Sequence, residues 1–334
     1  MEGAPLGFLS CLEASMRGSA WISSIALLSL LGCSKSTDDT STDDTAGEPL
    51  PQAAPLTALS SGECPDLSTS GTSSFLSSGE DRTATIVIPT NPGEDMPVVF
   101  FLHGFMSPDH TPEPTDYMAS ALGLQTLADS YNAVFVLPES PIWEIMGFSY
   151  FLFDVFDNDD HDVVLYDDLR TCVGENLDVD LNRVSAMGFS GGSLFTSILV
   201  RDRSDTLASF VEFSGGADYE ISLMGDTAVK WTDPVDDTPG LIVAGGDTDN
   251  WPDGFTVIDF VEATDNLQSH LVDAGHFVVR CDHDYGHTIP MGYMSRAEEW
   301  LLDHTYGVPS PWLETGVDDW GMGCYVAETD ASAE

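Results

Sequence analysis

The sequence predicts an α/β protein: one domain built on a mostly parallel central sheet with helices on both faces. Two observations carry this. Seven short apolar runs have strand character, and stretches with helical spacing fall between several of them. A third supports it, since no repeat of about 20–50 residues runs through the chain.

The strands are expected at 83–88, 98–103, 133–137, 184–187, 210–213, 241–244 and 277–281. VVFFL, AVFVL and LIVA are apolar at every position, as strands covered on both faces must be. The helices are expected at 115–130, 161–176, 190–200, 257–274 and 291–304, where apolar residues recur every three or four positions.

The N-terminus reads as an address. Residues 22–31, ISSIALLSLL, form an apolar run preceded by Arg17 and followed by Gly32-Cys33. That run is half the ~20 residues a spanning helix needs. It fits a secretory signal over 1–32, with Met16 as an alternative start. Leu30-Leu31-Gly32-Cys33 resembles a bacterial lipobox, which implies cleavage before Cys33 and lipidation of its thiol. Residues 33–56, with TDDT twice and few aliphatics, then form an acidic disordered tether, and 57–334 the folded domain. The expected location is outside the cytoplasm, on the outer membrane or cell surface, or else secreted.

The chain has 10 Lys+Arg against 56 Asp+Glu, a formal charge of −46. This argues against nucleic acid and anionic membrane surfaces as partners, because phosphate binding needs clustered Lys and Arg. Membrane contact is expected only through the lipid anchor, and the chain is expected to be a monomer. After the anchor, Cys64, Cys172, Cys281 and Cys324 remain. Four cysteines in an exported domain fit two disulfides, in any of three pairings. Cys64 with Cys324 and Cys172 with Cys281 is one of them. Without a Cys-x-x-Cys pair, a zinc site is the weaker reading.

The chemistry is expected at strand ends. Gly188-Phe189-Ser190-Gly191-Gly192 joins the strand VSAM to the helix SLFTSILV. Glycines flank a serine there because the strand-to-helix turn leaves no room for side chains, and the turn lifts Oγ above the sheet. A serine needs a base. His287 lies in the loop after the last strand, with His283 as its rival. The base needs an acid. Asp249 closes Gly245-Gly246-Asp247-Thr248-Asp249 after LIVA, with Asp247 as the alternative. Oxyanion donors are expected from the amides of Gly191 and either Phe105 or Met106, after the His103-Gly104 turn.

These residues resemble the α/β-hydrolase fold, in the order Ser190, Asp249, His287. FFLHGF (100–105), DLNRVSAMGFSGG (180–192), GGDTD (245–249) and CDHDYGHTIP (281–290) resemble the secreted esterases that include polyhydroxybutyrate depolymerases, feruloyl esterases and acetylxylan esterases. The resemblance covers about 80–306 and implies nucleophile Ser190, acid Asp249 and base His287. It also implies a serine hydrolase acting on polyesters, or on feruloyl and acetyl esters of plant polysaccharide. No metal or organic cofactor is called for. A serine peptidase of the same fold and a non-catalytic surface lipoprotein are the alternatives.

Between 139 and 160 the chain is rich in aromatics. His103, Trp143, Phe148 and Tyr150 are candidate substrate contacts, against the alternative of a satellite core under a long insertion. The acidic run 157–162 is expected to be a solvated face and helix cap, because its spacing does not match a calcium loop. Only ~25 residues separate the strands ending at Phe213 and starting at Leu241. A large lid is not expected there.

Overall fold

The computed structural model describes residues 50–328, apart from 146, 253–255 and 322. The expected signal peptide, Cys33 and the tether up to 49 lie outside the described residues.

The chain opens with an antiparallel hairpin, β1 (Gly71–Ser77) and β2 (Glu80–Val87). β3 (Met96–Leu102) and β4 (Val134–Pro138) follow, separated by α1 (Pro114–Ala121) and α2 (Leu124–Tyr131). A small hairpin, β5 (Ile142–Ile145) and β6 (Phe148–Phe151), precedes α3 (His161–Asn176). Next come β7 (Val179–Phe189), α4 (Gly191–Arg203) and β8 (Ser209–Phe213). A second small hairpin, β9 (Tyr219–Ile221) and β10 (Asp226–Ala228), leads to β11 (Gly240–Ala244). The two-residue strands β12 (Asn250–Trp251) and β13 (Ile258–Asp259) pair before α5 (Phe260–Asp273). β14 (Val278–Asp282), α6 (Met291–Asp303), α7 (Trp312–Thr315) and β15 (Cys324–Val326) complete the order.

Nine strands make one sheet, ordered β1-β2-β4-β3-β7-β8-β11-β14-β15. Its centre, from β4 to β14, is parallel. β1, β2 and β15 are antiparallel margins. Side chains alternate across the pleat. Val98, Phe100 and Leu102 join the core under α3, α4 and α5, while Val99 and Phe101 join the core under α1, α2 and α6. Each crossover helix thus closes one face, and the parallel strands all end on one edge, where the site forms.

The seven expected strands are all present. The expected helix 115–130 is two helices, because Gly123 takes a left-handed φ of 65° between them. A glycine there ends one helix and starts the next at little steric cost. β1 is largely polar (GTSSFLS) and lies at the sheet margin, so its apolar signal is weak.

Residues 51–56, read from sequence as tether, are held by the domain. Ala53 N donates to Asn182 Oδ1 at 2.9 Å, and Arg170 Nη2 donates to Ala54 O at 2.6 Å. The disulfides are Cys64–Cys172 and Cys281–Cys324, not the Cys64–Cys324 and Cys172–Cys281 pairing. The first ties the segment before β1 to α3, and the second joins residues directly opposite on β14 and β15. Among the described residues no helix is long and apolar enough to cross a membrane.

Candidate active site

Ser190 sits between β7 and α4 with φ 57° and ψ −124°, a conformation that costs a non-glycine residue on the order of 1–3 kcal/mol. Its surroundings enforce it. A Cβ on Gly188 would lie 2.4 Å from the Gly192 carbonyl, and one on Gly192 would lie 2.0 Å from the Leu102 carbonyl oxygen. The Ser190 amide donates to Phe213 O at 3.0 Å, which fixes the turn to the next strand. The hydroxyl is thereby held at the sheet edge.

His287 Nε2 is 2.8 Å from Ser190 Oγ, and its Nδ1 is 2.8 Å from Asp249 Oδ1. The other Asp249 oxygen accepts from Gly245 N at 2.7 Å. Asp249 is almost fully buried, so its carboxylate is committed to these two donors. The two loops are fastened to each other, since Gly286 N donates to Gly245 O at 3.0 Å. Gly245 must lack a side chain there, because a Cβ would stand 2.3 Å from Gly286 O. The imidazole is clamped between Phe260 (centroids 4.4 Å, 17°) and Phe189 (4.8 Å, 30°).

The alternatives from sequence are elsewhere. Asp247 is exposed on the short 246–248 turn, and the imidazole bonds to Asp249 instead. His283 is buried and its Nδ1 accepts from Tyr285 N at 3.1 Å, with no bond to Ser190. Burial holds its pKa below the usual histidine range.

Two amides lie beside the serine, since a Cβ on Gly104 would stand 3.2 Å from Ser190 Cβ. Gly191 is the first residue of α4, so its N–H has no acceptor within the helix. A Cβ on Gly191 would lie 3.6 Å from the Phe105 nitrogen, and among the described residues the Phe105 N–H has no acceptor. Met106 differs. Its N–H donates to Phe151 O at 3.4 Å in an isolated bridge, which leaves Phe105 as the free donor of the pair.

His103 does not reach the cavity. It is buried, with Nδ1 donating to Gly104 O at 2.8 Å and Nε2 accepting from Ser140 N at 3.2 Å. Burial lowers its pKa to about 4, so the ring is neutral. It is a turn residue, not a substrate contact. The acidic run meets the expectation in part, since 157–160 are exposed and lead into α3. Asp162 is buried and pairs with Arg82 at 2.5 Å, and Asp160 caps α3 without a side-chain bond.

Beside Ser190 opens a cavity of about 830 Å³. Trp143, Phe148 and Tyr150 line it, as the sequence suggested. Not anticipated as wall are Trp251, Phe260 and the β9–β10 segment through Ile221, Leu223 and Met224, nor that Phe105 stacks on Tyr150 at 4.2 Å. Trp251 lies two residues after Asp249, and that spacing was the available signal.

No protein-family model and no curated protein matches the chain. Solved structures do. Native pOPH aligns at TM-score 0.57 and 18% identity, over 80% of this chain and 98% of that one. Native sOPH aligns at 0.56 and 17%, over 79% and 96%. A thermostable esterase aligns at 0.51 and 19%, over 70% and 62%. At such low identity what these proteins share is the arrangement of sheet and helices, and the chain has the α/β-hydrolase fold.

Proposed function

We propose that the chain is a carboxylic ester hydrolase acting through an acyl-enzyme on Ser190. The observation that carries this is the unbroken relay from Ser190 Oγ to His287 Nε2 and from His287 Nδ1 to Asp249, each link 2.8 Å.

His287 takes the Ser190 proton as Oγ bonds to the ester carbonyl carbon. The carbonyl π electrons move to oxygen, and the Gly191 and Phe105 amides hold the oxyanion. Collapse breaks the bond to the alkoxide, which leaves with the proton from His287. Water then repeats the sequence on the acyl-enzyme and frees the acid. Asp249 holds the ring with Nδ1 protonated and stabilises the imidazolium. Polyesters and the feruloyl or acetyl esters of plant polysaccharide are the substrates that the sequence resemblance suggests. The two disulfides support an oxidising compartment, and so an exported protein.

The test is hydrolysis of p-nitrophenyl esters by the full chain and by Ser190→Ala. Turnover is expected in the first and its loss in the second. A folded protein inert to every ester would overturn the reading.

A further inference from the structure

The geometry points to a division of the substrate: the cavity takes the acyl half of the ester, and that half is a neutral aliphatic chain of medium length. The inference rests on the ester-hydrolase reading.

The direction comes from which site residues line the cavity. Ser190, Gly191 and Phe105 do, while His287 and Asp249 do not. In the tetrahedral intermediate the oxyanion faces the Gly191 and Phe105 amides. The leaving oxygen must face His287 Nε2, from which it takes its proton. The remaining substituent, the acyl chain, then runs into the cavity on the oxyanion side.

The chemistry of the wall sets the kind of chain. Eight wall residues are Leu, Ile or Val, among them Leu152, Val155, Leu194, Ile221 and Val257, and seven are aromatic. Among the described residues no Lys or Arg lines the cavity, and the one charged group on its wall is Glu144. An acyl group ending in a carboxylate would meet no cation and a like charge. Hydroxyls on the chain would find few partners and lose their water. At about 830 Å³ the space lies high in the usual range of roughly 300–1,000 Å³ for ligand sites. An acetyl or butyryl group leaves most of it unfilled. Phe148, Leu223 and Met224 carry the apolar surface out to the mouth, where they are 65%, 54% and 45% exposed.

The test uses two ester series with the full chain. In p-nitrophenyl esters from acetate to dodecanoate the alcohol is constant. In alkyl acetates from ethyl to decyl the acyl group is constant. We expect kcat/KM to rise roughly fourfold per methylene in the first series until the cavity is filled, near decanoate. The second series should stay flat. Ile221→Trp in β9 and Val257→Trp just before β13, which fill the cavity from two separate segments, should each shift the acyl optimum to shorter chains. Hemisuccinate esters should be poorer than neutral esters of equal length. A best rate on acetate, or rates that follow the alcohol instead, would overturn the division while leaving Ser190-dependent hydrolysis intact. Failure of both series, together with no labelling of Ser190 by a fluorophosphonate, would overturn the ester-hydrolase reading and this inference with it.

Discussion

The strand-end site and the wall beside it are built on different principles. At the site, position is set by single contacts: His287 has one partner for each ring nitrogen, and the glycines at 188, 192 and 245 stand where another backbone comes too close for a Cβ. In the wall, Phe105 stacks on Tyr150 of β6 at 4.2 Å and meets Trp251 of β12 edge-on at 4.7 Å, while β9–β10 adds the aliphatic surface of Ile221 and Leu223. Contacts of that kind are roughly additive in area. A change in the site should therefore abolish function or leave it alone, whereas a change in the wall should grade it.

The largest expected effect tests the site. Asp249→Asn should lower kcat on any ester by about 10³–10⁴, because the imidazole loses the partner that fixes its tautomer. Asp247→Asn, on the exposed turn two residues earlier, should change kcat less than about twofold. Equal losses would mean that the acid is misplaced. Next in size is Gly192→Ala. Its Cβ would collide with the Leu102 carbonyl, which belongs to the strand behind the turn and cannot swing aside. We expect a loss of about 3 kcal/mol or more in urea unfolding.

The same contrast explains what could be read from sequence. Gly188-Phe189-Ser190-Gly191-Gly192 is legible because a steric demand leaves only glycine possible, and the demand is local. The apolar strands are legible because both their faces are covered. The wall is a product of tertiary packing: nothing local in Ile221 or Leu223 says that they face Ser190. His103 misled for the related reason that a strand-end histidine looks the same whether its ring turns inward or toward substrate. The cysteine pairing was open because loop closure permits all three connectivities. The break at Gly123 was missed because the apolar spacing continues across it.

One group in the site's foundation breaks the rule of paired polar atoms. Glu212, on β8 beneath α4, is fully buried, and one oxygen accepts from Ser197 Oγ at 2.6 Å while, among the described residues, the other makes no hydrogen bond of ordinary geometry. Burial raises its pKa from 4.5 to about 8. Below pH 4.5 both folded and unfolded chains hold the proton, and the group is neutral to stability. Between 4.5 and 8 only the folded chain holds it, so stability falls as pH rises. Glu212→Gln removes that dependence. Its gain over the parent should be near zero at acid pH and grow to on the order of 1–3 kcal/mol above pH 8. Thermal melts across this range measure it, and a gain independent of pH would refute the assignment.

The smallest effect tests the wall. Phe148 is 65% exposed at the tip of β5–β6, yet it lines the cavity mouth. Phe148→Ala removes little buried surface from the folded chain, so stability should change by no more than about 0.5 kcal/mol. A long acyl chain would lose contact area that a short one never uses. On decanoate, kcat/KM should therefore fall by roughly three- to tenfold, while on acetate it should stay close to the parent. A uniform loss on both esters would mean that Phe148 acts on the strand-end site itself, and the separation between site and wall would not hold.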